Sequence, residues 1–408
     1  MDAADFGGSA PGRLVDTAGG YRAYVPNPLP AEITWTAELA QAQSEADLAL
    51  GRLAGVAQTL PNPHLVIGPF LRREAVLSSR IEGTQASLSD LVLFEAAPTA
   101  GKPPEDVREV ANYVRALNFA RERMNELPLS LRLIREIHAK LLEGVRGGHA
   151  QTGEFRIVQN WIGAPGSRPA EARFVPPPPS ELPQCLADFE HYLHAPSELP
   201  PLVRLALVHY QFEAIHPFQD RNGRIGRLLI TLLLCAERVV PQPLLYLSAY
   251  FDQHRRAYYD HLLAVSRNGA WEAWITYFLR GVREQAADGV ARADRLLALR
   301  DEFRARCHAG HCPATTLKLV DELFRAPAVT LATTAELLGV TPRAAQGNID
   351  KLVALDVLRE VTGQQRNRAY LADEIVRVVE PAGPGEQESG QPDERTGVRD
   401  AAGLSPSR

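Results

Sequence analysis

His216-Pro-Phe-Gln-Asp220-Arg-Asn-Gly-Arg224-Ile-Gly-Arg227 is a polar, glycine-containing stretch set between two apolar runs. Before it, Leu202, Leu205, Ala206, Val208, Phe212 and Ile215 recur at helical spacing; after it come Ile225, Leu228, Leu229, Leu232 and Leu233. The spacing predicts two buried helices, with the loop Phe218–Gly223 delivering its backbone N–H groups onto the N-terminus of the second. Such groups lack intrahelical partners and attract anions, phosphate above all. Arg224 and Arg227 lie three apart on that helix's first turn. Cations there oppose the macrodipole by about 0.3–1 kcal/mol each, an arrangement that a polyphosphate would make useful. Asp220 is an oxygen ligand suited to Mg²⁺ bridging phosphates, and His216 could take a proton from an attacking hydroxyl. By spacing alone, a His-Pro that merely ends a helix and two arginines on a solvated face fit equally well. Neither a P-loop nor a dinucleotide G-x-G-x-x-G at a strand–helix junction occurs.

The same residues resemble the signature of Fic-domain proteins, H-x-F-x-[DE]-G-N-G-R-x-x-R. His216, Phe218, Asp220, Asn222, Gly223, Arg224 and Arg227 match it, and Arg221 stands where that family usually has Gly. The resemblance implies a mainly α fold: a Fic-type helical core with a short β-hairpin flap. It implies transfer of AMP from ATP to a Ser, Thr or Tyr hydroxyl of a target protein, the chain itself included. His216 would be the general base and Asp220 the Mg²⁺ ligand. Asn222 and Gly223 would help form an anion hole, Arg224 and Arg227 would hold the β- and γ-phosphates, and Phe218 would anchor the loop. Arg221 and Gly226 count with the nucleotide-binding residues. If position 221 needs a left-handed backbone, Arg incurs a steric cost there.

Ser78-Ser-Arg-Ile-Glu82-Gly83 resembles the same family's inhibitory motif, [ST]-x-x-x-E-[GN]. Ser78 and Glu82 share a helix face, and Glu82 opposes the dipole in the last turn. An ion pair between Glu82 and Arg227 would occupy the guanidinium that the γ-phosphate needs, which predicts autoinhibition. It also leaves room for removal of AMP, with Glu82 activating water. Asn160-Trp-Ile-Gly and Arg173-Phe174-Val175 resemble the flap, which pairs with an extended target segment; a proline-rich surface loop reads as well. Tyr258 and Tyr259 look like the aromatic pair beside adenine, and equally like core.

Working outward, residues 1–30 read as a flexible arm and 31–110 as a helical region carrying the inhibitory helix. By the resemblance, residues 111–285 read as the Fic domain, and 286–312 read as a connecting helix. Residues 313–379 read as a winged helix-turn-helix domain, from the Gly339-Val-Thr turn, the helix Ala344–Leu355 and two β-type runs. A disordered tail closes the chain at 380–408. The winged helix has few basic residues, among them Arg343, Lys351, Arg366 and Arg368, so protein docking suits it as well as DNA. From it comes the alternative function, a nucleotide-sensing transcription regulator; retention of His216 favours the enzyme. Cys307-His308-x-x-His311-Cys312 crowds four ligand types into six residues, too tight for one tetrahedral zinc.

The 408 residues carry 44 Lys and Arg against 49 Asp and Glu, a net charge of −5, so the whole chain is no electrostatic nucleic-acid binder. Four cysteines make no disulfide framework. No apolar run reaches a membrane span and no secretory signal opens the sequence. The expectation is a cytoplasmic protein without a membrane partner. ATP and a target protein are its partners, Mg²⁺ is its cofactor, and a homodimer is suggested by the family resemblance.

Overall fold

Helical periodicity runs through most of the chain, and in the computed structural model the apolar faces so created bury one another. The structure describes residues 5–59, 64–97, 104–145, 152–164, 166–237, 239–240, 242–364 and 366–380. The order is β1 (Gly12–Asp16), β2 (Arg22–Pro26), α1 (Ala37–Thr59), α2 (His64–Ile81), α3 (Leu88–Ala96), α4 (Glu105–Arg123) and α5 (Leu131–Leu141). Then come α6 (Leu182–His194), α7 (Pro201–Ile215), α8 (Asn222–Ala236), α9 (Ser248–Gln253), α10 (Arg255–Asn268) and α11 (Trp271–Ala309). The last part holds α12 (Ala314–Arg325), β3 (Ala328–Thr330), α13 (Leu331–Leu338), α14 (Pro342–Ala354), β4 (Arg359–Glu360), β5 (Ala369–Leu371) and α15 (Asp373–Val379).

The predicted pair flanking the polar loop, α7 and α8, forms the centre. Both are apolar on nearly every side and buried nearly all round, as such helices must be. The antiparallel α4 and α5, together with α6, α10 and α11, pack about this pair. Helix α2 lies across α4, α8 and α9 and also meets α12 and α15. Caps define several boundaries: the Ser87 hydroxyl accepts from Asp90 N–H in a capping box, and Ser130 caps α5.

Three expectations are corrected. Residues 12–26, read within a flexible arm, form the β1–β2 hairpin. Ala23, Tyr24 and Val25 are buried, and Tyr24 N–H donates to Val175 O at 2.8 Å. Strands this short, set among Gly and Pro, leave little periodicity to read. The connecting helix at 286–312 is the second half of α11, a single 39-residue helix begun at Trp271 and packed along α1. Gly281 and Gly289 do not interrupt it. A Cβ at Gly281 would lie 2.6 Å from the Tyr250 ring, and one at Gly289 would lie 3.1 Å from Leu53, so these glycines permit close packing. The flap is no hairpin: Ile162 and Phe174 exchange two backbone hydrogen bonds, 2.8 and 3.1 Å, in an isolated bridge. Pro169 and the run Pro176–Pro179 supply no N–H to extend it.

The C-terminal unit places α12, α13 and α14 beside an antiparallel sheet of order β3-β5-β4. Gly339, at φ +66°, turns the chain between α13 and α14, and Thr341 caps the latter. Ala345, Ile349 and Leu352 bury one face of α14. The tail expected from residue 380 lies, from 381 onward, outside the described residues. Among the described residues no helix is long and apolar enough to cross a membrane.

Candidate active site

Helix α7 ends because His216 turns left-handed (φ 50°, ψ 60°), and its N–H still bonds to Phe212 O at 3.0 Å. The turn holds because buried groups grip its carbonyls. The guanidinium of Arg156 donates to His216 O at 2.9 Å, to Pro177 O at 2.6 Å and to Ile215 O at 3.4 Å. Asn160 Nδ2 donates to Phe218 O at 2.8 Å. Arg156 is 2 % exposed and draws its bonds from carbonyls alone, a cation set at a helix C-terminus where the dipole favours it.

Phe218 is fully buried and stacks on His138, ring centroids 4.0 Å apart; that burial is worth about 1.5–3 kcal/mol. Asn222 closes the loop: Oδ1 accepts from Phe218 N–H and Nδ2 donates to Phe218 O, both at 2.8 Å. Its side chain is therefore a clasp across the loop and not an open anion-hole donor. Arg221 is left-handed (φ 67°, ψ 12°), the conformation for which its position would prefer Gly.

Three guanidiniums and three carboxylates meet at the start of α8. Arg221 pairs with Asp220 at 2.7 Å and with Glu109 of α4 at 2.6 Å, while Arg224 pairs with the other oxygen of Glu109 at 2.7 Å. Arg227 donates to Glu82 Oε1 at 2.7 Å, Ser78 Oγ at 2.9 Å and Ser78 O at 2.8 Å. Glu82 follows the last residue of α2, where Gly83 at φ +98° turns the chain away. Its carboxylate lies against the N-terminus of α8: a Cβ on Gly223 would collide with Glu82 Oε1 and fall 3.0 Å from Arg227. Burial works against its charge, but Arg227, and beyond it Arg224, hold Glu82 below the usual carboxylate range.

These residues border a cavity of about 620 Å³. His216, Asp220, Arg221, Asn222, Gly223, Arg227 and Tyr259 line it; Arg173, Phe174, Trp161 and Ile162 form the flap side. Glu82 lines it beside Gly223 at the start of α8. Burial, then the Arg156 charge, pushes His216 down to about 4, so its imidazole is neutral at physiological pH. Nδ1 lies 3.3 Å from Glu213 O, which assigns that nitrogen the proton and leaves Nε2 to accept another.

Some expected residues stand elsewhere. Arg224 is buried against Glu109 and Thr84, outside the cavity lining, because α4 supplies its counter-ion. Gly226 faces Glu213 and His209. Ser78 is wholly buried beneath Arg227, and Val175 packs with Ala23 and Ala172. Tyr258 reaches the cavity, yet its ring is 1 % exposed and its hydroxyl bonds His209 Nε2 at 2.9 Å. Sequence reading missed Glu109, Arg156 and Glu213, since charged residues remote from a motif carry no local signal. Asp220 is an exposed carboxylate at the cavity, fit to hold Mg²⁺ together with phosphate oxygens and water. Among the described residues no group of three or more His, Cys, Asp or Glu forms a preassembled metal cage.

The left-handed histidine and the loop clasped onto the N-terminus of α8 lie within a region that matches a known family. Residues 40–122 match the Fic/DOC family N-terminal region, and residues 128–234 match the Fic/DOC family itself. The chain thus carries a Fic/DOC domain preceded by its N-terminal companion. Among individual relatives, the protein adenylyltransferase Fic of Drosophila grimshawi is 29% identical over 205 residues, covering 48% of this chain and 38% of that protein. That of Drosophila virilis is 30% identical over 205 residues with the same coverage. The chain therefore spans less than two-fifths of the length of these relatives. The crystal structure of a Fic family protein from Desulfovibrio desulfuricans G20 covers 84% of this chain and 98% of its own, with TM-score 0.53 and 18% identity, a likeness of fold.

Proposed function

We propose that this chain is a protein adenylyltransferase that moves AMP from Mg-ATP to a Ser, Thr or Tyr hydroxyl of a target protein, and that Glu82 holds it inhibited. The observation that carries this reading is the Glu82–Arg227 ion pair lying over Gly223, with neutral His216 at the same cavity.

In the reaction, the acceptor oxygen attacks the α-phosphorus as the bond to the bridging oxygen breaks and pyrophosphate leaves. His216 Nε2 takes the hydroxyl proton. The α8 N–H groups and Arg227 meet the phosphate charge, so catalysis rests on positioning and electrostatic stabilisation. Asp220 would hold Mg²⁺, which neutralises phosphate oxygens when bound. With Glu82 in place, a nucleotide finds the Arg227 guanidinium already paired and the space over Gly223 occupied. We read the C-terminal unit as a winged helix serving as a docking module, on the strength of its α13–turn–α14 arrangement and the β4–β5 pair.

The test is label transfer from α-phosphate-labelled Mg-ATP onto the protein itself and onto a cell lysate. His216→Ala should abolish transfer while nucleotide binding persists. Transfer unchanged in that variant would remove His216 as the base.

A further inference from the structure

Glu213 stands one turn before His216, and the chemistry above gives its carboxyl no task. A carboxyl in the last turn of α7 opposes the helix dipole, so the fold gains nothing from it there. One oxygen, Oε1, is buried without a hydrogen-bond partner and packs so closely on α8 that a Cβ at Gly226 would collide with it. The glycine of the motif thus makes room for this carboxyl. The side chain borders the same cavity as Glu82, Arg227 and Tyr259. Burial, opposed by Arg227 and reinforced by Glu82, pushes Glu213 up to about 7. The protein supplies this carboxyl no hydrogen-bond partner, and because the side chain borders the cavity a ligand there can supply one.

We propose that Glu213 recognises a ribose hydroxyl of the donor nucleotide and makes the site select ribonucleotides over deoxyribonucleotides. This rests on the reading of the cavity as an ATP site. Phosphates belong at the start of α8, by Gly223, and a carboxylate would repel them. Gly226, against which Glu213 lies, is nearly one helical turn further in. The sugar is the part of a nucleotide adjoining the phosphates. A hydroxyl both donates and accepts, so it pairs with the carboxyl in either protonation state.

The experiment measures equilibrium binding of ATP, 2′-deoxy-ATP and 3′-deoxy-ATP to the full chain. It compares Glu82→Gly, which clears the space over Gly223, with Glu82→Gly carrying Glu213→Gln or Glu213→Ala. Thermal melting of each variant checks the fold, and the near-isosteric Gln variant guards against collapse of the site. The parent should bind at least one deoxy analogue about tenfold more weakly than ATP. Glu213→Ala should lose about tenfold in ATP affinity while that analogue's affinity stays put, so that the discrimination disappears. Discrimination unchanged in both Glu213 variants overturns the proposal, as does an equal change for all three nucleotides. Failure of the parent to bind ATP at all overturns the nucleotide reading and this assignment together.

Discussion

Replacing Glu82 with Gly tests the inhibited state quantitatively. The Glu82–Arg227 pair is 2.7 Å long; the Arg227 side chain is 1% exposed and that of Glu82 32%. Two unit charges about 4 Å apart near a protein surface attract by about 4 kcal/mol, and breaking a buried pair by removing one partner costs about 3–5 kcal/mol. With one partner a third exposed, the lower end applies, about 3 kcal/mol. Among the described residues, Arg227 in the variant keeps the two oxygens of Ser78 as its hydrogen-bond acceptors. Without nucleotide the variant should therefore melt below wild type, and Mg-ATP should recover most of the difference, because phosphate takes the place of the carboxylate. A nucleotide competing with wild-type Glu82 must give up the same 3 kcal/mol, so label transfer should rise by up to roughly 150-fold in the variant. Melting with and without Mg-ATP, beside label transfer with His216→Ala as blank, reads both quantities. Equal transfer and equal stabilisation by Mg-ATP in the two proteins would refute the reasoning.

Arg221→Gly should relieve a left-handed residue worth about 1–2 kcal/mol and also release Asp220 from its guanidinium, with Glu109 still paired to Arg224. Stability should change little and Mg²⁺-dependent ATP binding should tighten, as titration calorimetry would show; weaker binding would contradict it. Arg156→Met removes the donor to the carbonyls of Ile215, His216 and Pro177, with His216 O keeping the 3.3 Å bond from Asn160 Nδ2, and should cost about 3 kcal/mol in denaturant unfolding, with Arg156→Lys recovering part of the loss. Burial holds His138 and His216 at about 4 and His209 at about 3, so between pH 6.5 and 4.5 the unfolded chain takes up protons on three imidazoles that the folded chain refuses, and stability falls on acidification. Glu74 and Glu213, pushed up to about 7 by burial, keep protons in the fold that the unfolded chain has lost, which works the other way. Three imidazoles against two carboxyls leave these five groups contributing about 1.4 kcal/mol per pH unit, and Glu74→Gln should steepen the fall by about as much again; urea midpoints at pH 6 and pH 5 check both.

Much of the centre was legible before any coordinates. The two apolar runs around His216–Arg227 announced α7 and α8, and the steric demand at position 221 appeared as a positive φ. The pairing of Glu82 with Arg227 followed from two helix ends that each carry a misplaced charge. What spacing could not supply was the third dimension. Glu109 neutralises Arg224 from a helix more than a hundred residues away, and Arg156 grips the histidine turn from the flap. Asn222 carries the residue type expected of an anion hole, yet its amide turns back onto Phe218, a choice that only loop geometry decides.

Helix α2 serves two parts of the molecule at once. Its last turns hold Ser78 and lead into Glu82. Its opening turns are wedged under the C-terminal unit, where Gly68 lets the Arg325 carbonyl come within 2.9 Å of where a side chain would begin, and Arg72 donates to that same carbonyl at 3.0 Å. The C-terminal unit is thus seated on the same helix whose far end leads directly into Glu82.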